Sequence, residues 1–249
     1  MKITLHQTGP TDIPKVYQDC SETWKTNNFD YKFYTDDDLD NLIKDNMPEK
    51  YDFYLNMRKI EKIDFSRYLM MYLDGGIYAD MDTILKNENF VIDIFKKNNN
   101  KVIVGIEFNK LRYHAAQSIL ISTSKNNKMW LDLIDYIYDI YDESNYITYN
   151  TGPEMFTSFL KRNQNKYDVI YEENLLKTNV KHVKTGNWRV PSFKMLNKNC
   201  LICQKSPFMC ECYNHKWYIT DNQFYYNIKI YILVSLILFF FLIGKFFVW

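Results

Sequence analysis

The chain has 249 residues, 47% of them hydrophobic and 24% charged, which is enough apolar material for one sizeable core with an appendage. Its 31 basic and 30 acidic side chains leave a formal net charge of +1, so no overall field draws in a nucleic acid and none is expected as a partner.

Ile3 to Thr8 alternates as a strand and runs into His6-Gln7-Thr8, where His6 is read as structural. Pro14 suits the first turn of a helix continuing through Tyr17 to Trp24, and Tyr31 to Tyr34 is a short strand. Thr35 followed by Asp36, Asp37 and Asp38 opens a helix to Lys44; a capped, acidic helix start explains these acids without a metal. From Lys59 to Leu73 neither Gly nor Pro occurs, and apolar residues fall on most sides, which predicts a largely buried helix. Asp64 and Arg67 share a face with Ile60 and Met71, and a buried charge is costly unless paired or in use. Gly75 and Gly76 end that helix, where a positive φ is wanted. Ile77 to Leu85 then reads as one strand, with Tyr78, Asp80 and Asp82 alternating against Ile77, Ala79 and Met81, so both aspartates point the same way.

After a polar loop from Lys96 to Asn100, Lys101 to Glu107 and Gln117 to Ser122 read as strands, Lys128 to Tyr141 as an amphipathic helix, and Pro153 to Lys161 as another. This order predicts an α/β fold with a mostly parallel sheet and flanking helices, in which ligands sit at the carboxyl ends of the strands. Two carboxylates one residue apart repel each other, and a divalent cation relieves that; hard oxygen ligands suit Mn²⁺ or Mg²⁺. A solvated acidic turn is the alternative for an isolated Asp-x-Asp.

Beyond the domain, Cys200, Cys203, Cys210 and Cys212 follow C-x2-C-x6-C-x-C with His215 nearby, a spacing open to structural Zn²⁺, to disulfides or to acylation. No charge occurs between Ile230 and Gly244, and Lys229, Lys245, Tyr225, Tyr226 and Trp249 are placed as interfacial residues. The expected organisation is a catalytic domain over 1–198, a Cys-rich connector over 199–224 and a transmembrane helix over 225–249. Only four residues follow Lys245, and the first residues lack the apolar core of a signal peptide, so the expectation is a single-pass tail anchor in a lipid bilayer with a cytosolic domain.

Asp64-x-x-Arg67 followed by Gly75-Gly76-Ile77-Tyr78-Ala79-Asp80-Met81-Asp82 resembles the core of the DXD sugar transferases of glycosyltransferase family 32. The resemblance implies the nucleotide-sugar transferase fold of the GT-A type. It also implies retaining transfer of a hexose from GDP-mannose or a UDP-hexose to a glycan, glycolipid or membrane-glycoprotein acceptor. By the same resemblance Asp80, Asp82 and His182 hold the metal, with Asp82 in direct contact and Asp80 working through water or the ribose. Thr8, Asp64, Arg67 and Asp80 bind the donor, Gln117 faces the sugar near the reacting carbon, and Asp82 and Gln117 are the catalytic candidates. Thr151-Gly152-Pro153 matches a family segment and implies the acceptor side of the cleft. The chain departs from the pattern at Gly9, where the family carries a tryptophan after His-Gln-Thr. That departure leaves open a catalytically inactive, membrane-tethered nucleotide-sugar-binding module; a metal-dependent phosphohydrolase is a more distant reading, because two carboxylates are few for it.

Overall fold

The computed structural model describes residues 2–109 and 112–184, which fall in one compact unit, Met1–Gly186. The candidate zinc ligands Cys200, Cys203, Cys210 and Cys212 and the expected membrane span 225–249 lie outside the described residues. Among the described residues no helix is long and apolar enough to cross a membrane.

Strands β1 (Ile3–Thr8), β2 (Phe29–Tyr34), β3 (Gly76–Ala79), β5 (Val102–Asn109), β6 (Arg112–Ser122) and β7 (Val169–Glu172) form a six-stranded sheet in the order β2-β1-β3-β6-β5-β7. Every pairing is parallel except those made by β6, which runs against both β3 and β5. The mostly parallel sheet expected from the alternating elements is therefore present. A separate two-stranded ribbon joins β4 (Thr83–Leu85) to β8 (Val180–His182).

The central strands are near-continuous apolar runs because both faces of the sheet are covered. Tyr78, Val102, Val104 and Leu120 point into one core, with α2 (Asp36–Asn46), α4 (Lys59–Leu73), α6 (Lys128–Ile140) and α8 (Pro153–Arg162) packed on that side. Their alternate neighbours Ile77, Ala79, Ile103, Ile119 and Ile121 point into the other, with Trp24 at the end of α1 (Lys15–Glu22) and Val91 and Ile92 of α5 (Glu88–Lys97). The shorter helices α3 (Tyr51–Leu55) and α7 (Ile147–Asn150) complete the set, together with an irregular helical turn at Leu175–Asn179.

Local chemistry explains how the elements start and stop. Thr35 and Asp38 make a reciprocal capping box at α2, so the acidic run serves a helix start as expected. Gly75 and Gly76 end α4 at φ 61° and 85°. A Cβ on Gly76 would lie 2.2 Å from the Thr4 carbonyl oxygen, so the close approach of β1 as well as the backbone conformation demands glycine.

One expectation needs correction. Ile77 to Leu85 is two strands: β3 ends at Ala79, residues 80–82 form a turn, and β4 leaves for the other sheet. The Thr83 amide donates to the Asp80 carbonyl at 3.0 Å and the Thr83 hydroxyl donates to the same oxygen at 2.6 Å, which closes the turn.

Candidate active site

The turn Asp80-Met81-Asp82 lies at the carboxyl end of β3, the strand before the reversed β6, where open α/β sheets present their ligand crevice. Its backbone is fixed from several sides. The Asp80 amide donates to the Ser118 carbonyl at 2.8 Å, the Gln7 side chain donates to the Asp80 carbonyl at 3.4 Å, and the Val183 amide donates to the Asp82 carbonyl at 2.8 Å. Trp24, wholly buried, donates its indole N–H to the Thr83 carbonyl at 3.1 Å. The aspartates thus converge through a pinned turn instead of through strand alternation.

Behind the turn lies a buried charge network. Arg67 projects from α4 with Nη2 at 3.0 Å from Asp64 Oδ1 and 3.3 Å from Asp80 Oδ1, while Nη1 donates to the Gln117 carbonyl at 3.0 Å. Its guanidinium lies over the Tyr78 ring, 4.5 Å from the centroid. Burial works against the charge on Arg67, but Tyr78, Asp80 and Asp64 outweigh it and raise its pKa further. Burial instead pushes the Asp64 carboxyl up to about 6, against the pull of Arg67 and of the Thr151 hydroxyl, which donates to Oδ2 at 2.8 Å. Asp80 Oδ1 also accepts from the Tyr78 hydroxyl at 2.9 Å, and that hydroxyl lies 3.0 Å from Thr8 Oγ1. With Tyr78 donating to Asp80, Thr8 is the donor to Tyr78, so Thr8, Tyr78 and Asp80 form one directed chain.

On the opposite side of the turn stands His182, the last residue of β8, paired in register with Thr83 of β4. Its Nε2 is 3.3 Å from Asp82 Oδ1 and its Nδ1 is 2.9 Å from Glu107 Oε1. One ligand atom from each of Asp80, Asp82 and His182 falls within 4.8 Å of the others. Burial alone would lower the His182 pKa; bonds to Asp82 and Glu107 overcome it and raise the ring to about 9. Burial would raise Glu107, yet His182 and Lys184 hold it down to about 2. The two carboxylates are hard oxygen donors that fit Mn²⁺ or Mg²⁺, and the imidazole, a borderline donor, favours Mn²⁺ of the two. A cavity of about 480 Å³ opens against His182 and Glu107, with Leu176 and Val180 on its apolar wall.

The structure thus brings Asp64, Arg67, Asp80, Asp82, His182 and Thr8 into one continuous network. Gln117 joins it differently: its amide donates to the Thr151 carbonyl at 2.8 Å and to the Tyr68 hydroxyl, so its donors are engaged inside the protein. His6 is buried, with Nε2 donating to the Gly75 carbonyl at 3.0 Å and Nδ1 3.2 Å from the Tyr34 hydroxyl, and burial lowers its pKa to about 4. At Gly9 the space a side chain would need is filled by Met81, whose sulfur would lie 2.1 Å from an added Cβ. Sequence reasoning missed Tyr78 and Glu107. The available signal for Glu107 was a carboxylate ending the apolar run Val102-Ile103-Val104 at the same edge of the sheet.

Known proteins resemble this chain in sequence and in fold. Residues 14–103 match the family described as "Glycosyltransferase sugar-binding region containing DXD motif". The initiation-specific alpha-1,6-mannosyltransferase of Candida albicans is 36% identical over 109 residues, covering 38% of this chain and 28% of that protein. The protein of the same description from Schizosaccharomyces pombe is 48% identical over 48 residues, covering 18% of this chain and 12% of the relative. The chain therefore spans less than a third of either relative. Among solved structures, the PaToxG glycosyltransferase aligns with a TM-score of 0.50 at 15% identity, covering 66% of this chain and 70% of that one, a likeness of fold. The motif and the pinned turn that carries it lie within the matched stretch: over residues 14–103 the chain is similar to DXD-containing glycosyltransferases, the family to which its sequence motif also points.

Proposed function

We propose that the chain catalyses metal-dependent transfer of a hexose from a nucleotide diphosphate sugar to a membrane-associated glycan, glycolipid or glycoprotein. The convergence of Asp80, Asp82 and His182 at the carboxyl edge of the sheet is the observation that carries this reading. Those three side chains are the ones that would hold Mn²⁺ or Mg²⁺. When bound, such an ion supplies Lewis-acid neutralisation of the diphosphate leaving group.

The remaining work falls to the protein's own groups. Tyr78 and Arg67 both address Oδ1 of Asp80, so the carboxylate is oriented before any ligand arrives. Asp64 and Arg67, lying beneath, are read as the floor of the donor site, with Arg67 offering positive charge to phosphate and Asp64 an acceptor to sugar hydroxyls. Thr8 is read as lying under the nucleotide, and Gln117 as holding the floor through Thr151 and Tyr68 next to the sugar. Retention of configuration is expected from the family. The names of the fungal relatives favour mannose, hence GDP-mannose, as the donor to try first. The apolar run from Ile230 to Gly244 supports a bilayer anchor and an acceptor held at the membrane.

A second reading, a nucleotide-sugar-binding module without turnover, is favoured by one feature: Met81 fills the place above Gly9 where a family tryptophan would stand. Calorimetric titration with GDP-mannose or UDP-glucose plus Mn²⁺, run beside a sugar-release assay, separates the two. Binding with release of sugar supports the transferase; binding without release or transfer leaves the module.

A further inference from the structure

We propose that Glu107 is a positioning residue that orients the His182 imidazole so that Nε2 faces the Asp80–Asp82 pair as a metal donor. This inference rests on the metal reading of that pair.

An imidazole can rotate about its bond to Cβ and can carry its proton on either nitrogen, so a histidine ligand needs a second partner to fix both choices. Backbone pairing places the residue but not the ring. β8 pairs with β4 at Thr83 and His182, and the next residue, Val183, donates its amide to the Asp82 carbonyl at 2.8 Å. The ring is held by its two nitrogens: Nδ1 is 2.9 Å from Glu107 Oε1, and Nε2 is 3.3 Å from Asp82 Oδ1. A carboxylate only accepts, so the Glu107 contact keeps a proton on Nδ1, and Nε2, which addresses Asp82, is the nitrogen that would give up its proton to become a metal donor.

Glu107 is itself anchored. It follows a break in register between Val104 and Ile106 of β5, and Oε1 accepts from the Ser118 hydroxyl at 3.4 Å. Ser118 is the residue whose carbonyl receives the Asp80 amide, so one short stretch of β6 steadies both the turn and the carboxylate behind the histidine. Lys184 meets the other oxygen, Oε2, at 3.3 Å and does not share the bond to the ring.

The test is Mn²⁺ binding by the full chain, with the metal alone as probe at one fixed pH. Affinity is read by electron paramagnetic resonance, and ligation by nitrogen is read from the ¹⁴N modulation of the bound Mn²⁺ signal. The wild type is expected to bind with ¹⁴N modulation that disappears in His182→Ala. Glu107→Gln is expected to weaken Mn²⁺ binding about 10–100-fold and to diminish the modulation. Glu107→Asp, which keeps the carboxylate, should recover part of both.

Wild-type affinity and undiminished modulation in Glu107→Gln would overturn the proposal. So would bound Mn²⁺ without any ¹⁴N modulation in the wild type, an outcome independent of whether the glutamine variant folds; it would leave the aspartates as ligands. If the wild type binds no more Mn²⁺ than Asp82→Asn, the metal reading falls and this inference falls with it.

Discussion

The two sides of the Asp80–Asp82 turn are built differently. On the α4 side, Asp64, Arg67, Tyr78 and Thr8 are buried and bonded to one another, and their charges are balanced inside the protein. On the β8 side, Asp82 and Glu107 place two acids against the His182 ring, which takes a positive charge in their company, and Glu107 and His182 line a cavity. The first arrangement is a finished floor. The second is balanced by a proton on His182, the place a divalent cation would take over. The contrast teaches that charge is used in two ways: on the α4 side it is paired within the protein and holds the turn still, and on the β8 side it is gathered around one point.

The largest effect expected from breaking that contrast is on stability, at Arg67. Arg67→Met would leave Asp64 buried without its partner, and chemical denaturation should show a loss of about 3–5 kcal/mol. A change below 1 kcal/mol would mean that the buried network is not what secures α4 to the turn.

His6 lies against the diglycine turn after α4, with Nε2 on the Gly75 carbonyl, and its effect depends on pH. Its folded-state pKa of about 4 lies below the ordinary 6.5, so the unfolded chain binds the extra proton more readily. The stability tied to its neutral form is therefore complete above pH 6.5 and is lost as pH falls toward 4, by at most about 3 kcal/mol. Denaturation curves of the wild type should lose this amount across that window relative to His6→Gln; parallel curves would contradict it.

Gly76→Ala comes next. A methyl group meeting the Thr4 carbonyl in a left-handed backbone should cost about 1–3 kcal/mol, read as a lower melting temperature. On the β8 side the stability effect should be smallest: Asp82→Asn removes one of two neighbouring acids from a partly exposed cluster and should shift stability by no more than about 1 kcal/mol. Equal losses in Asp82→Asn and Arg67→Met would erase the distinction between floor and site.

Much of the floor was legible in the chain. An unbroken apolar helix carrying Asp64 and Arg67, then a diglycine stop, then Ile77-Tyr78-Ala79, is local information: α4 spans the expected residues and β3 begins close to where periodicity places it. The strand break after Ala79 was not legible, because apolar and polar residues alternate through Asp82 whether the chain stays extended or turns. What decides it is tertiary: the return of Thr83 to the Asp80 carbonyl and the departure of β4 to pair with β8. Glu107 was hidden for the same reason. It meets His182 across 75 residues and between two sheets, a relation that no spacing rule encodes.

The central claim is that Asp82 serves a metal-dependent expulsion of diphosphate. Its most direct measurement is donor hydrolysis across a panel of nucleotide sugars, GDP-mannose first, with Mn²⁺ and with chelator, comparing the wild type with Asp82→Asn. Sugar release should require Mn²⁺ and fall at least about a hundredfold in the variant, equivalent to about 2.7 kcal/mol of barrier. Release that survives the chelator, or that proceeds equally in Asp82→Asn, would contradict the account.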